Sequence, residues 1–197
     1  MKKGLNRNVR ILIKASIMSN VAAGLFYPLY AVFIQNIGGS LMDVGFSYAL
    51  FSILTGIFII AFDRSEYFVK RVRFMIPLGY FLVALSYFSY ILVKNPAQLF
   101  CVQILSGLAQ GILVPAWQGV FAANMNEKQE SRAQATWAGT VSIVYGFAAF
   151  IGGFIVTAFS FTSLFAIMGT ASLLACILSM KLLSKASINL NNTKSIK

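Results

Sequence analysis

The chain holds 197 residues, of which 58% are hydrophobic and 11% charged, and it carries a formal net charge of +11. Soluble globular proteins average about 45–50% apolar and about 25% charged residues, so these charges are too few to cover a water-facing surface. With five acids and no histidine, imidazole metal sites and Ser-His or Cys-His nucleophile systems are excluded. The sequence reads as an integral membrane protein of the all-α class.

A hydrocarbon core about 30 Å thick takes roughly 20 apolar residues as a helix. Six such runs follow one another, at about 9–34, 41–62, 74–93, 97–123, 132–159 and 161–183. The first follows Lys2, Lys3, Arg7 and Arg10, a pattern shared with signal peptides. Its apolar stretch continues through Tyr27 to Ile34, too long for a signal core, so it reads as an uncleaved helix. Ile37-Gly38-Gly39-Ser40 breaks the chain before the second helix. Asp63 to Arg73 separates the second from the third, which holds Pro77 near its start. Lys94-Asn95-Pro96 precedes the fourth, with Pro96 suited to a first helical turn. Asn95-Pro96-Ala97 also spells a water-channel signature, but such a channel needs two copies on half-helices, and this single copy lies in a polar turn. Asn124 to Arg132 is a polar linker before the fifth helix, and Ser160 to Ser163 a tight turn before the sixth. Residues 1–184 thus form a six-helix bundle, and the asparagine-rich 185–197 a polar, disordered cytoplasmic tail. Cys101 and Cys176 stand singly in apolar runs and read as small core residues, without zinc spacing.

Lysine and arginine in the short loops set orientation. Both termini, the second-to-third loop and the fourth-to-fifth loop hold 15 of the 16 basic residues, and the remaining loops hold only Lys94. The basic set is cytoplasmic, so both ends of a multi-pass protein of the cytoplasmic membrane lie inside. The positive charge is therefore topology, with no need of nucleic acid as a partner.

Gly24-Leu25-Phe26-Tyr27-Pro28 in the first helix and Gly111-Ile112-Leu113-Val114-Pro115 in the fourth share one pattern at similar depth along their helices. Inverted repeats of three helices build many transporter halves, and six helices with this echo favour a 3+3 inverted-repeat bundle.

These features together resemble the N-terminal half of a major facilitator superfamily transporter, over Asn8 to Met180. Pro28-Leu29-Tyr30, Gly38-Gly39-Ser40 and Val44-Gly45 resemble its first helix, outer loop and start of the second helix. Asp63-Arg64 resembles its cytoplasmic signature, Gln103 to Gly107 with Gly111 and Pro115 its fourth-helix motif, and Gly139, Gly146 and Gly152-Gly153 its glycine-rich fifth helix. The chain departs from the pattern where Ser65-Glu66-Tyr67-Phe68 replaces a glycine and arginine pair, where Gln103 replaces an arginine tied to proton coupling, and where Ala148-Ala149 replaces Gly-Pro. Twelve helices need about 240 residues before any loop, so 197 residues hold half of the family's chain. The polar tail reads as a natural stop, with a truncated gene as the alternative.

The resemblance implies a secondary transporter of a small solute working by alternating access, assembled as a homodimer or with another six-helix half. The competing reading is a non-transporting binding or scaffold subunit. Neither an enzyme nor a cofactor or metal is expected. Helical positions seven apart share a face: Gln103, Ser106, Gln110, Trp117 and Asn124 fall on one stripe of the fourth helix, and Ser16, Asn20 and Tyr27 on one of the first. In hydrocarbon such groups need partners, so the stripes face away from lipid, either lining the substrate cavity (Asn20, Tyr27, Gln103, Gln110, Trp117) or bridging helices. The resemblance makes Asp63 and Arg64 a cytoplasmic gate. Small residues at Gly45, Ala49, Ser52 and Gly56, and at Gly139, Ser142, Gly146, Ala149 and Gly153, suit close helix approach, within the bundle or at the dimer interface. No acid lies deep in a span, so a carboxylate proton relay is absent. Amides and aromatics without fixed charge suit a neutral or amphipathic solute.

Overall fold

The computed structural model describes residues 7–124 and 127–183, and the tail expected over 185–197 lies outside the described residues. Helix α1 (Arg7–Phe26) runs into a 3-10 turn at Tyr27–Leu29 and resumes as α2 (Tyr30–Asn36). Then come α3 (Leu41–Asp63), the short α4 (Glu66–Lys70), α5 (Val72–Tyr90), α6 (Pro96–Ala122), α7 (Glu127–Ala158) and α8 (Phe161–Met180). Six spans are long and apolar enough to cross a membrane: α1 with α2, then α3, α5, α6, Ala133–Ala158 of α7, and α8.

The helix ends follow from their polar residues. At the start of α3, the Ser40 hydroxyl accepts from the Asp43 amide while the Asp43 carboxylate accepts from the Ser40 amide at 2.7 Å. This reciprocal cap satisfies two amides that the helix itself leaves unpaired. Gly38, at φ 79°, makes the turn that leads to it. Asn95 accepts from the Gln98 amide at 3.0 Å and caps α6 with Pro96 in the first turn, so the water-channel-like tripeptide serves as a helix start. Ser160 caps α8 in the same manner. Pro28 interrupts the first span, because it lacks an amide hydrogen and crowds the preceding turn.

The packing obeys the repeat. The first span packs on the fifth and sixth, the fourth on the second and third, and the third on the sixth. Exchanging spans one, two and three for four, five and six maps this set onto itself, the third–sixth contact being its own image. Gly24 and Gly111 occupy the two matching crossings. A methyl on Gly24 would stand 2.7 Å from Tyr145 Cδ1 and 2.9 Å from Ala148 Cβ, and one on Gly111 would collide with Phe58. Each glycine therefore lets two backbones approach, α1 with α7 and α6 with α3.

Two clusters fill the bundle. One, at the end holding Arg7, includes Val9, Leu12, Ile76, Tyr80, Ala116 and Phe121. The other gathers Phe26, Phe33, Tyr90 and Phe165, with Phe26 edge to face on Phe165 at 5.0 Å and on Tyr90 at 5.2 Å, and Tyr90 stacked on Phe165. Lipid tails are as apolar as these rings, so dispersion and ring geometry hold them together more than exclusion of water does. Cys176 is buried in the first cluster, but Cys101 is exposed. The expectation that both cysteines are core residues is corrected for Cys101, whose place on α6 points away from the bundle. The two spans least covered by their neighbours are α3 and α7. Their most apolar windows are 6% and 17% buried, against 39–50% in the other four.

Candidate functional site

A cavity of about 760 Å³ opens among α1, α2, α3, α5, α6 and α7, with Met168 of α8 also in its wall, within the usual range for small-molecule sites. Its spine is α6, which contributes Gln103, Ser106, Gln110 and Trp117 from one face, while α1 supplies Ser16, Asn20 and Tyr27. The five residues nominated for a cavity, Asn20, Tyr27, Gln103, Gln110 and Trp117, line this one space. Asn124, on the same sequence stripe, does not line it, and its carboxamide donates to the Val120 carbonyl at 2.8 Å.

The polar residues divide by what they bond. The Asn20 amide donates to the Ser16 carbonyl at 2.7 Å and to the Ser16 hydroxyl at 3.1 Å, while its oxygen accepts from the Tyr145 phenol at 2.9 Å. The Trp137 indole N–H also donates to the Ser16 hydroxyl, at 3.1 Å. These bonds sew α1 to α7. Near the far end, the Gln103 amide donates to the Tyr30 phenol, which donates to the Ser47 hydroxyl at 2.7 Å, which in turn donates to the Val44 carbonyl at 3.1 Å. This chain joins α6, α2 and α3. Lining and bridging, set out above as alternatives, therefore coincide at Asn20 and Gln103. Tyr27 is largely exposed, beside the 3-10 turn. Gln110 makes no hydrogen bond among the described residues. Trp117 is stacked between Phe121 and Trp137, each centred 4.7 Å away, and its buried N–H has no partner.

Most of the aromatic wall escaped the sequence reading. Tyr80, Tyr87 and Tyr90 of α5, Tyr30 of α2, and Trp137 and Tyr145 of α7 all line the cavity. Seven-residue spacing from Tyr80 to Tyr87 was the available signal, since it places both rings on one helix face. No Asp, Glu, Lys or Arg lines the cavity among the described residues.

Asp63 and Arg64 lie outside the cavity, exposed where α3 ends. Beyond them, α4 carries an exposed Glu66–Lys70 pair at 2.9 Å, and the Arg71 guanidinium sits 4.3 Å over the Tyr67 ring. Gly45, Gly56, Gly139, Gly146 and Gly153 have nothing within 4 Å of where a side chain would begin. Packing inside this bundle therefore explains Gly24, Gly79, Gly107, Gly111 and Gly152, and leaves those five unexplained. On α3 the stripe of Gly45, Ala49, Ser52 and Gly56 lies about 100° round the helix from Val44, Tyr48 and Phe51 of the cavity wall. On α7, Gly146 similarly follows Tyr145. Unpacked small-residue faces thus flank the cavity on both sides.

Six membrane-length spans, packed as an inverted repeat around one cavity, set the context for a sequence match over residues 12–196 to the family model of the Major Facilitator Superfamily. The chain belongs to the Major Facilitator Superfamily. It is a multi-pass membrane protein with the architecture of one six-helix half of such a transporter. A Bacillus subtilis (strain 168) protein described as "Uncharacterized MFS-type transporter YitZ" is 32% identical over 110 residues, covering 55% of this chain and 65% of that relative. The match thus spans just under two thirds of the relative's length. In this superfamily member, Gln103 acts as a neutral hydrogen-bond donor to Tyr30.

Proposed function

We propose that the chain is a half-transporter that moves a small uncharged solute across the cytoplasmic membrane by alternating access, as a dimer with a second copy. One observation carries this reading: the cavity is flanked by α3 and α7, the two least covered helices, whose small-residue faces meet nothing within the chain. An identical half turned about an axis normal to the membrane would lay its own α3 and α7 against them and enclose the space. That operation keeps both copies in one orientation, as a single topology set by the lysine and arginine distribution requires. Asn20, Tyr27, Gln103, Gln110 and Trp117 form this half's share of the solute site, with Asp63 and Arg64 as cytoplasmic gate. The uncharged lining disfavours a coupling carboxylate within the cavity.

Cysteine replacements at Gly146 or Gly56, in a chain with Cys101 and Cys176 changed to serine, test the assembly in intact membranes. Efficient disulfide dimers at these two positions, and none in a chain that keeps only the buried native Cys176, support it. No cross-link in well-expressed protein rejects the homodimer and favours a different six-helix partner. Uptake or efflux of uncharged solutes by vesicles holding the purified protein then tests transport itself. A saturable ligand that is bound and never moved would identify a binding subunit instead.

A further inference from the structure

Arg7, Arg10 and Lys14 stand three and then four residues apart, so helical spacing sets them on one face of α1. All three are exposed, and none has an ion pair among the described residues. Ser16 of the cavity wall lies about 180° round α1 from Arg7, so this face looks away from the cavity. α1 packs on α7 and on α8, and its cations face outward from the bundle. α8 carries a matching stripe. Leu174, Ile177 and Lys181 follow the same three-and-four spacing, and all are exposed. Leu182 is buried in one cluster with Val9 and Leu12, so the end of α8 that holds Lys181 packs beside the start of α1.

The lengths of the spans set the depth of these charges. Gln35 and Asn36 close the first span. Counted back from Ile34, a hydrocarbon core about 30 Å thick takes roughly 20 residues and ends near Ala15. Lys14 therefore stands at the edge of the core, with Arg10 about 6 Å and Arg7 about 10 Å farther out. α8 spans Phe161–Met180, 20 residues, so Lys181 falls at the same edge. Each headgroup layer is about 5–8 Å deep, and these cations run through it. The bias of positive charge toward one side of the membrane does not by itself put three cations on a single helix face turned from the cavity. We infer that this face binds an anionic phospholipid, with the phosphate among Arg10, Lys14 and Lys181 and the acyl chains along Leu174 and Ile177. The cations meet an opposite charge without leaving the headgroup layer, and the two aliphatic side chains meet chains as apolar as themselves. A water-soluble anion would leave the apolar stripe unused. The site rests neither on transport nor on dimerisation.

Native mass spectrometry of the purified full chain, released from detergent micelles, counts bound lipids during titration. The probes are palmitoyl-oleoyl phosphatidylglycerol, an anion, and phosphatidylcholine with the same chains, a zwitterion. The first phosphatidylglycerol is expected to bind at least about tenfold more tightly than phosphatidylcholine, since each cation near the headgroups contributes about fivefold. Arg10→Gln with Lys14→Gln should weaken phosphatidylglycerol by at least about tenfold and leave phosphatidylcholine within about twofold. Lys70→Gln with Arg71→Gln removes the same charge from α4 and should change phosphatidylglycerol by less than about twofold. Equal affinity for the two lipids overturns the assignment without recourse to any variant. So does full selectivity in the Arg10 and Lys14 variant, or an equal loss in both double variants, which would mean that only net charge is read. Displacement of the lipid by an equal concentration of glycerol phosphate would make this a free-phosphate site and overturn the lipid as its occupant. Should the Arg10 and Lys14 variant fail to accumulate, Lys181→Gln alone is expected to weaken phosphatidylglycerol about fivefold, and unchanged binding there overturns the assignment.

Discussion

The Tyr145 phenol donates to the Asn20 carboxamide oxygen across 2.9 Å, joining the fifth membrane span to the first at the glycine crossing where Gly24 meets Tyr145 and Ala148. Tyr145→Phe removes the donor and keeps the ring that packs on Gly24. One interhelical bond between neutral groups contributes about 0.5–1.5 kcal/mol, and values near 0.6 are typical in membrane proteins. The expected result is a loss of about 1 kcal/mol in reversible detergent unfolding. Asn20→Leu should cost more, because it also strips the bonds to Ser16. A double-mutant cycle between the two positions should show a coupling of at least about 0.5 kcal/mol. Strict additivity would mean that the bond does not hold these helices together.

The glycines fall into two groups that a single substitution type separates. At Gly79 a side chain would begin 2.8 Å from Leu113 Cβ and 3.0 Å from the Leu113 backbone. Gly79→Leu should therefore force α5 from α6 and prevent the bundle from folding, as judged by loss of monodisperse protein after extraction. At Gly139 the same space is open. Gly139→Leu should leave the six-helix fold and its melting temperature unchanged, yet reduce cross-linking between copies at Gly146 by at least about tenfold, since small-residue contacts tolerate little added bulk. Unimpaired cross-linking in Gly139→Leu would remove the fifth helix from the interface.

Gln103 is buried and has the Tyr30 phenol as its partner. Gln103→Leu leaves the Tyr30 bond to Ser47 intact, so the expected cost is about 1 kcal/mol. Gln103→Arg places a charge in a cavity without an acid among its described lining residues. Insertion scales put an unpaired arginine at mid-membrane near 2.5–3.5 kcal/mol, and less toward a helix end; Gln103 stands about two turns into α6, so this variant should be the less stable by about 1 kcal/mol. A more stable arginine variant in the same unfolding assay would reveal an acid in reach of the cavity.

The number of spans and the inverted repeat were legible because each depends on short-range composition: apolar length, Gly and Pro punctuation, and caps such as Ser40 and Asn95. The polar stripe of α6 was legible because one helix carries it at a regular spacing. What Gln103 and Asn20 bond was not legible, since Tyr30 and Tyr145 lie on other helices and only packing brings them near. The exposed environment of Cys101 was within reach of the same pattern, since Cys101 lies about 160° round α6 from Gln103 and so opposite the polar stripe. Glycine stripes also read alike whether they meet a neighbour or open space. Gly111 against Phe58 and Gly146 against nothing differ only in which helix stands opposite.

Pro28 carries the last prediction. The 3-10 turn at Tyr27–Leu29 advances each residue about 120° instead of about 100°. Over three residues this turns α2 by about 60° relative to a continuous helix, and Tyr30 is the first residue beyond it. Its phenol meets Ser47 and Gln103 in that rotated position. Pro28→Ala restores an amide hydrogen and removes the ring clash, so the first span should straighten and carry Tyr30 away from both partners. The expected outcome is a stability change in which the local gain from the alanine is offset by the lost chain of hydrogen bonds. Tyr30→Phe should cost about 1 kcal/mol in the native background and close to nothing in the Pro28→Ala background. Equal costs of Tyr30→Phe in both backgrounds would show that the break does not aim this residue.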